Sequence, residues 1–197
     1  MTRRVLASGD IAVATLRTPS ALAELTKQYP QDRLLVLPLD VTEPSSIAAA
    51  LKTVEQQLGR IDVVVSNAGV SVLGEVEGTP DAPARNMFEV NFWGATHVLQ
   101  EAVRFMREVN PPGVGGRIIQ ITSGVALCGY PACGFYSASK HGESRSTLGE
   151  RVGTYSILFI AIEGLTESLA GELDSEWNIH VSRHLSSSSV AHLPSFL

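Results

Sequence analysis

Cysteine is scarce: Cys128 and Cys133 are the only two in 197 residues. A small secreted scaffold stapled by disulfides needs more of them. The four residues between the pair fit no common zinc spacing, and there is no second pair to complete a site. Two reduced thiols in a cytoplasmic protein is the expectation. An excess of basic residues is also missing. Fifteen Lys and Arg stand against twenty Asp and Glu, for a formal net charge of −5. Nucleic-acid and anionic-membrane binders are usually basic, so neither partner is expected. No apolar run approaches the roughly 18 residues of a membrane span; the longest, residues 155–162, is far too short. The two arginines near the start are not followed by a signal-peptide core.

What is present is an ordinary globular balance, 44% hydrophobic and 18% charged. The length suits about one domain. Strand and helix patterns alternate. Residues 11–16 (IAVATL), 34–39 (LLVLPL), 61–65 (IDVVV), 117–122 (RIIQIT) and 178–182 (NIHVS) read as strands. Pro38 is unusual for a central strand. Residues 20–29 have helical apolar spacing, with Ser20 placed to cap them. Pro44–Leu58 reads as an amphipathic helix stopped by Gly59, residues 84–109 as one long helix, and 161–173 as another. Short apolar strands separated by helices predict an α/β fold with a doubly wound parallel sheet. Such sheets bind ligands at the carboxyl ends of their strands. Asp40, Asn67-Ala68-Gly69 and Ser123 all fall at those ends.

Tyr136-Ser-Ala-Ser-Lys140 sets a tyrosine and a lysine one helical turn apart on one face. A neighbouring ammonium stabilises a phenolate, so such a tyrosine can exchange a proton with an alcohol or carbonyl oxygen near neutral pH. Ser123, thirteen residues earlier, is placed to hold the same oxygen. Alone, the pair also fits an exposed helix with a long-stemmed lysine.

The order Asn67-Ala68-Gly69, Asn91, Ser123, Tyr136, Lys140 resembles the classical short-chain dehydrogenase/reductase family. The likeness runs from about residue 6 to 140 and resumes over 161–181. The resemblance implies a Rossmann-like fold and hydride transfer between a nicotinamide cofactor and a carbonyl compound or secondary alcohol. Tyr136 would be the acid/base. Lys140 would assist it and bind the nicotinamide ribose. Ser123 would orient the substrate oxygen, and Asn91 would hold a water in a relay to Lys140. Asn67, Ala68 and Gly69 would line the cofactor path, while Asp40 and Val41 would contact the adenine. Asp40 also reads as a cap for the helix that follows. No acidic residue ends strand 11–16 to take the ribose hydroxyls of NAD. Arg17 stands there instead, so the cofactor expected is NADP, with NAD left open. A homodimer built on the helices around 84–109 and Tyr136 is a further implication.

Three departures from the family stand out. The opening strand and its glycine-rich turn, which hold the pyrophosphate, are not in this sequence. Met1–Gly9 resembles the tail of the helix after that turn, so the sheet is expected to be incomplete, with unpaired edges beside the missing strand. After His141, nineteen residues (142–160) precede Ala161-Ile-Glu-Gly-Leu, the expected continuation of the helix. Beyond Val181, residues 182–197 replace the expected Pro-Gly turn and substrate segment. Gly142-Glu-Ser144 and Val181-Ser182 can both be encoded around GTGAGT, a common splice donor. Residues 142–160 and 182–197 are therefore predicted to be translated intron, the bland alternative being a true insertion and a true variable tail. The rival to an enzyme is a non-catalytic fragment or pseudoenzyme that binds a partner through its exposed sheet edge.

Overall fold

A computed structural model describes residues 1–123, 130–140 and 161–186. Among the described residues five strands fall into two parallel sheets, one of two strands and one of three. β1 (Ala12–Leu16) pairs with β2 (Leu34–Pro38), from Ala12 opposite Leu34 to Leu16 opposite Pro38. In the second sheet β4 (Gly116–Ser123) lies between β3 (Val63–Ser66) and β5 (Ile179–Ser186). The incomplete sheet expected from the sequence is therefore what is observed: β1 and β3 share no ladder. Pro38 ends its strand on an edge, where its lack of an N–H costs little.

Side-chain alternation shows why β1 and β2 are covered on both faces. Ala12 and Ala14, with Leu34, turn toward Leu6 of α1 (Thr2–Ala7) and Leu25 of α2 (Ala23–Thr26). Val13, Leu35 and Leu37 turn the other way, toward Leu51 and Val54 of α3 (Pro44–Leu58) and toward Phe105. Phe105 belongs to α5 (Ala95–Glu108), whose opposite side carries Leu99, Ala102, Val103 and Met106. Those residues pack on Ile118 and Ile179 of the second sheet and on Ile162 of α7 (Ala161–Glu172). One helix thus serves two cores.

Several local expectations shift. Pro at the first turn and Gly59 at φ 71° bound α3 at the residues the sequence predicts. The helix expected over 20–29 is instead a 3-10 turn, Pro19–Leu22, followed by the four residues of α2, and Thr18 rather than Ser20 sits at its cap. The single helix expected over 84–109 starts earlier and contains a π-helical segment: α4 (Asp81–Phe88), Glu89–Gly94, then α5. β5 continues past 182 to Ser186, because β4 offers a matching ladder as far as Ser123 opposite Ser186. The segment predicted to begin a foreign tail therefore starts inside a strand. Residues 142–160 and 187–197, together with Cys128, lie outside the described residues. Among the described residues no helix is long and apolar enough to cross a membrane.

Candidate active site

Asn91 is completely buried in the π segment. A π turn adds one residue to a helix and re-aims the side chain it carries. Here Asn91 Oδ1 accepts from the Val70 amide at 2.8 Å. Its Nδ2 donates to the Val70 carbonyl and to Ser139 Oγ, both at 2.9 Å. Val70 directly follows the Asn67-Ala68-Gly69 turn at the end of β3. Ser139 lies on α6 (Gly134–Lys140), the helix that carries Tyr136 and Lys140. One amide therefore ties the strand end to the helix that carries Tyr136 and Lys140. α6 also packs against α4 and α7.

Gly69 faces this junction. A Cβ placed on it would lie 3.3 Å from both Asn91 Oδ1 and Lys140 Nζ. That is tighter than ordinary van der Waals contact, so glycine keeps the space open. Asn67, Ala68 and Gly69 are exposed. Lys140 is only 4% exposed. Burial holds its ammonium below the usual lysine range. Tyr136 is half-buried on the preceding turn.

Ser123 ends β4 and is 1% exposed. Its hydroxyl has no hydrogen-bond partner among the described residues, nor has that of Ser137, next to Tyr136. Buried hydroxyls without partners are uncommon and mark places where a ligand atom or water completes the bonding. Gln120 Oε1, two residues before Ser123 on the same strand, is a third such atom.

Arg17, Asp40 and Val41 stand apart, at the ends of β1 and β2. Asp40 Oδ1 accepts from the Thr42 amide at 3.0 Å and its hydroxyl at 2.8 Å. These bonds close a local turn and do not cap the next helix, whose N-cap is Glu43 with no side-chain bond, so the cap the sequence also allowed is not formed. These two bonds pull the Asp40 carboxyl below its ordinary value; burial opposes them, and the charge of exposed Arg17 adds to them. Val41 is buried against Gly94, so its side chain serves packing. Among the described residues no cluster of three His, Cys, Asp or Glu could hold a metal ion.

Ser139 carried no role in the sequence reading. Its signal was positional: a hydroxyl beside the motif lysine, three residues after the tyrosine, can bond the carbonyl one turn back.

A family model for short chain dehydrogenases matches residues 1–154. The chain belongs to the short-chain dehydrogenase family. It is 37% identical over 175 residues to the oxidoreductase calM of Penicillium decumbens, covering 87% of this chain and 50% of that protein. A short-chain dehydrogenase from Streptomyces avermitilis superposes with a TM-score of 0.74 at 29% identity, over 92% of this chain and 58% of that one. The structure of ElxO with NADP bound has the same fold, with a TM-score of 0.73 at 22% identity over 92% of this chain and 64% of that one. The chain spans about half the length of the curated oxidoreductases it matches. Its Rossmann-like α/β architecture is that of these dehydrogenases.

Proposed function

We propose that this chain carries the catalytic half-site of an NADP-dependent oxidoreductase that interconverts a carbonyl compound and a secondary alcohol. The observation behind this reading is the convergence of Gly69, Asn91 and Lys140 on one small volume beside Tyr136. The residues suit a nicotinamide dinucleotide: a glycine that leaves space beside a buried ammonium, and a buried serine hydroxyl without a partner among the described residues. A bound NADPH supplies the hydride.

The chain's own residues supply the proton and the geometry. Tyr136 gives its phenolic proton to the carbonyl oxygen in reduction and takes it back in oxidation. Lys140, one turn along, stabilises the phenolate and reaches the nicotinamide ribose hydroxyls. Ser123 donates to the substrate oxygen and fixes its direction. Asn91 has its side-chain amide committed to Val70 and Ser139, so a relay water next to Lys140 would rest on its main-chain carbonyl. Asn67, Ala68 and Gly69 would hold the cofactor, and Asp40 and Val41 would contact its adenine. Arg17 favours NADP, because a guanidinium pairs strongly with a 2′-phosphate. The substrate is a small molecule. A homodimer through the α4–α5 and α6 faces completes the reading.

The test is titration of the purified chain with NADPH and NADH, followed by nicotinamide fluorescence. Saturable NADPH binding in the micromolar range, weakened at least tenfold by Arg17→Glu, supports the reading. Absence of saturable binding by either nucleotide would sink it and favour a non-catalytic chain.

A further inference from the structure

We infer that Ser139 is a positioning residue that locks the turn carrying Tyr136 and Lys140 to the end of β3. The inference rests on the function proposed above and adds a residue to it.

The argument starts from the direction of the hydrogen bonds. Val70 presents one donor and one acceptor, and both point at the Asn91 side chain. The amide can satisfy both in one orientation only, with Oδ1 toward the Val70 N–H and Nδ2 toward its carbonyl. The second Nδ2 proton then has to go to Ser139 Oγ, 2.9 Å away. Ser139 must accept it, so its own proton turns to the Tyr136 carbonyl, also at 2.9 Å. Each group in the chain Val70, Asn91, Ser139, Tyr136 thereby has one allowed role. Asn91 and Ser139 are both fully buried, so water does not compete for these bonds.

The consequence is mechanical. Among the described residues α6 runs over Gly134–Lys140. A helix in a protein is held in place chiefly by tertiary contacts rather than by its own ladder. The bond from Asn91 fixes its rotation at the residue next to Lys140. The bond to the Tyr136 carbonyl, within α6, turns the Ser139 hydroxyl so that its oxygen accepts from Asn91. Lys140 Nζ then stands over Gly69 rather than swinging to solvent.

The experiment compares the parent chain with Ser139→Ala and Ser139→Thr. It follows Val70 amide hydrogen exchange and the titration of the Lys140 side chain by NMR of 13C-labelled lysine. In Ser139→Ala, Val70 is expected to exchange about tenfold faster. The Lys140 titration should move back toward the ordinary lysine value by about half a pH unit or more. Threonine keeps the hydroxyl and is expected to restore both. Parent-like exchange and titration in Ser139→Ala would overturn the inference. So would a melting point that falls in Ser139→Ala while neither readout moves. Neither readout needs turnover, so a parent chain that binds no NADPH sinks the proposed function and still leaves Ser139 decided.

Discussion

A Cβ on Gly94 would lie 2.6 Å from Val41 Cγ2 and 3.1 Å from the Val41 carbonyl oxygen. The last residue of the π segment thus touches the loop after β2, and there is no room for a methyl group. Gly94→Ala is expected to cost about 1–3 kcal/mol, the usual range for overpacking. Urea unfolding measures it, and Val41→Ala in the same chain should recover part of the loss. An unchanged midpoint in Gly94→Ala would mean that the contact is looser than described.

Gly115 has φ 58°, and its missing Cβ would overlap the carbonyl of Asn178. The obstacle is backbone, which cannot swing aside. Gly115→Ala is expected to cost about 3 kcal/mol or more, through strain and a forced separation of the turns before β4 and β5. Gly113→Ala is the control. It also has positive φ, at 79°, but meets nothing within 4 Å. Its loss should be about 1 kcal/mol. Equal losses in the two variants would remove the steric argument.

Lys140 makes stability depend on pH in a defined direction. Its folded-state value lies below its unfolded one because burial disfavours the ammonium. Between those two values the unfolded chain binds more protons, so stability rises with pH there. Lys140→Met removes the buried charge and is expected to stabilise the chain at neutral pH by about 1 kcal/mol, or roughly 2–4 °C. It should also flatten the alkaline rise. A variant less stable than the parent at neutral pH would show that the ammonium is held by compensating partners.

Asp40 gives the same sign in the acid range: its folded value too lies below its unfolded one, so stability rises with pH there. Its folded value is depressed chiefly by the two bonds from Thr42. The stability it contributes is present above its unfolded value and is lost as pH falls through the folded one. Asp40→Asn keeps an acceptor for the Thr42 amide and loses the charge. At neutral pH it should cost about 1 kcal/mol or less. The acid limb of a stability profile below about pH 4 should become shallower. A profile unchanged by the substitution would place the acid sensitivity elsewhere.

The sequence exposes those parts of the fold that are governed by local rules. α3 shows its ends because Pro44 and Gly59 are punctuation that few contexts override. The strands show as apolar runs, but their lengths do not. β5 is extended to Ser186 by the ladder that β4 provides, a non-local effect. The π segment is hidden because one extra residue among Val90, Phe92 and Trp93 barely disturbs an apolar pattern. At the site, the named residues follow from motif order, and the structure draws Gly69, Asn91 and Lys140 together. Ser139 stays invisible because its value comes from a partner 48 residues away. The electrostatic influence of Arg17 on Asp40 is hidden for the same reason, since the two sit near neighbouring strand ends of a ladder that the sequence does not spell out.

The separation of β1 from β3 bears on how the chain comes apart. The Leu6–Leu34 cluster and the Leu99–Ile118 cluster are joined by a third, small one around Leu35, Val54 and Phe105. With no ladder across the divide, cooperativity between the two halves passes through those side chains and the Gly94–Val41 contact. The β1–β2 half is expected to exchange its amides as a separate unit and faster than the β4-centred half, which native-state hydrogen exchange measures. A dinucleotide that touched both Arg17 and Gly69 would act as a cross-brace. Its binding would sharpen unfolding as well as shift its midpoint, turning two loosely coupled transitions into one.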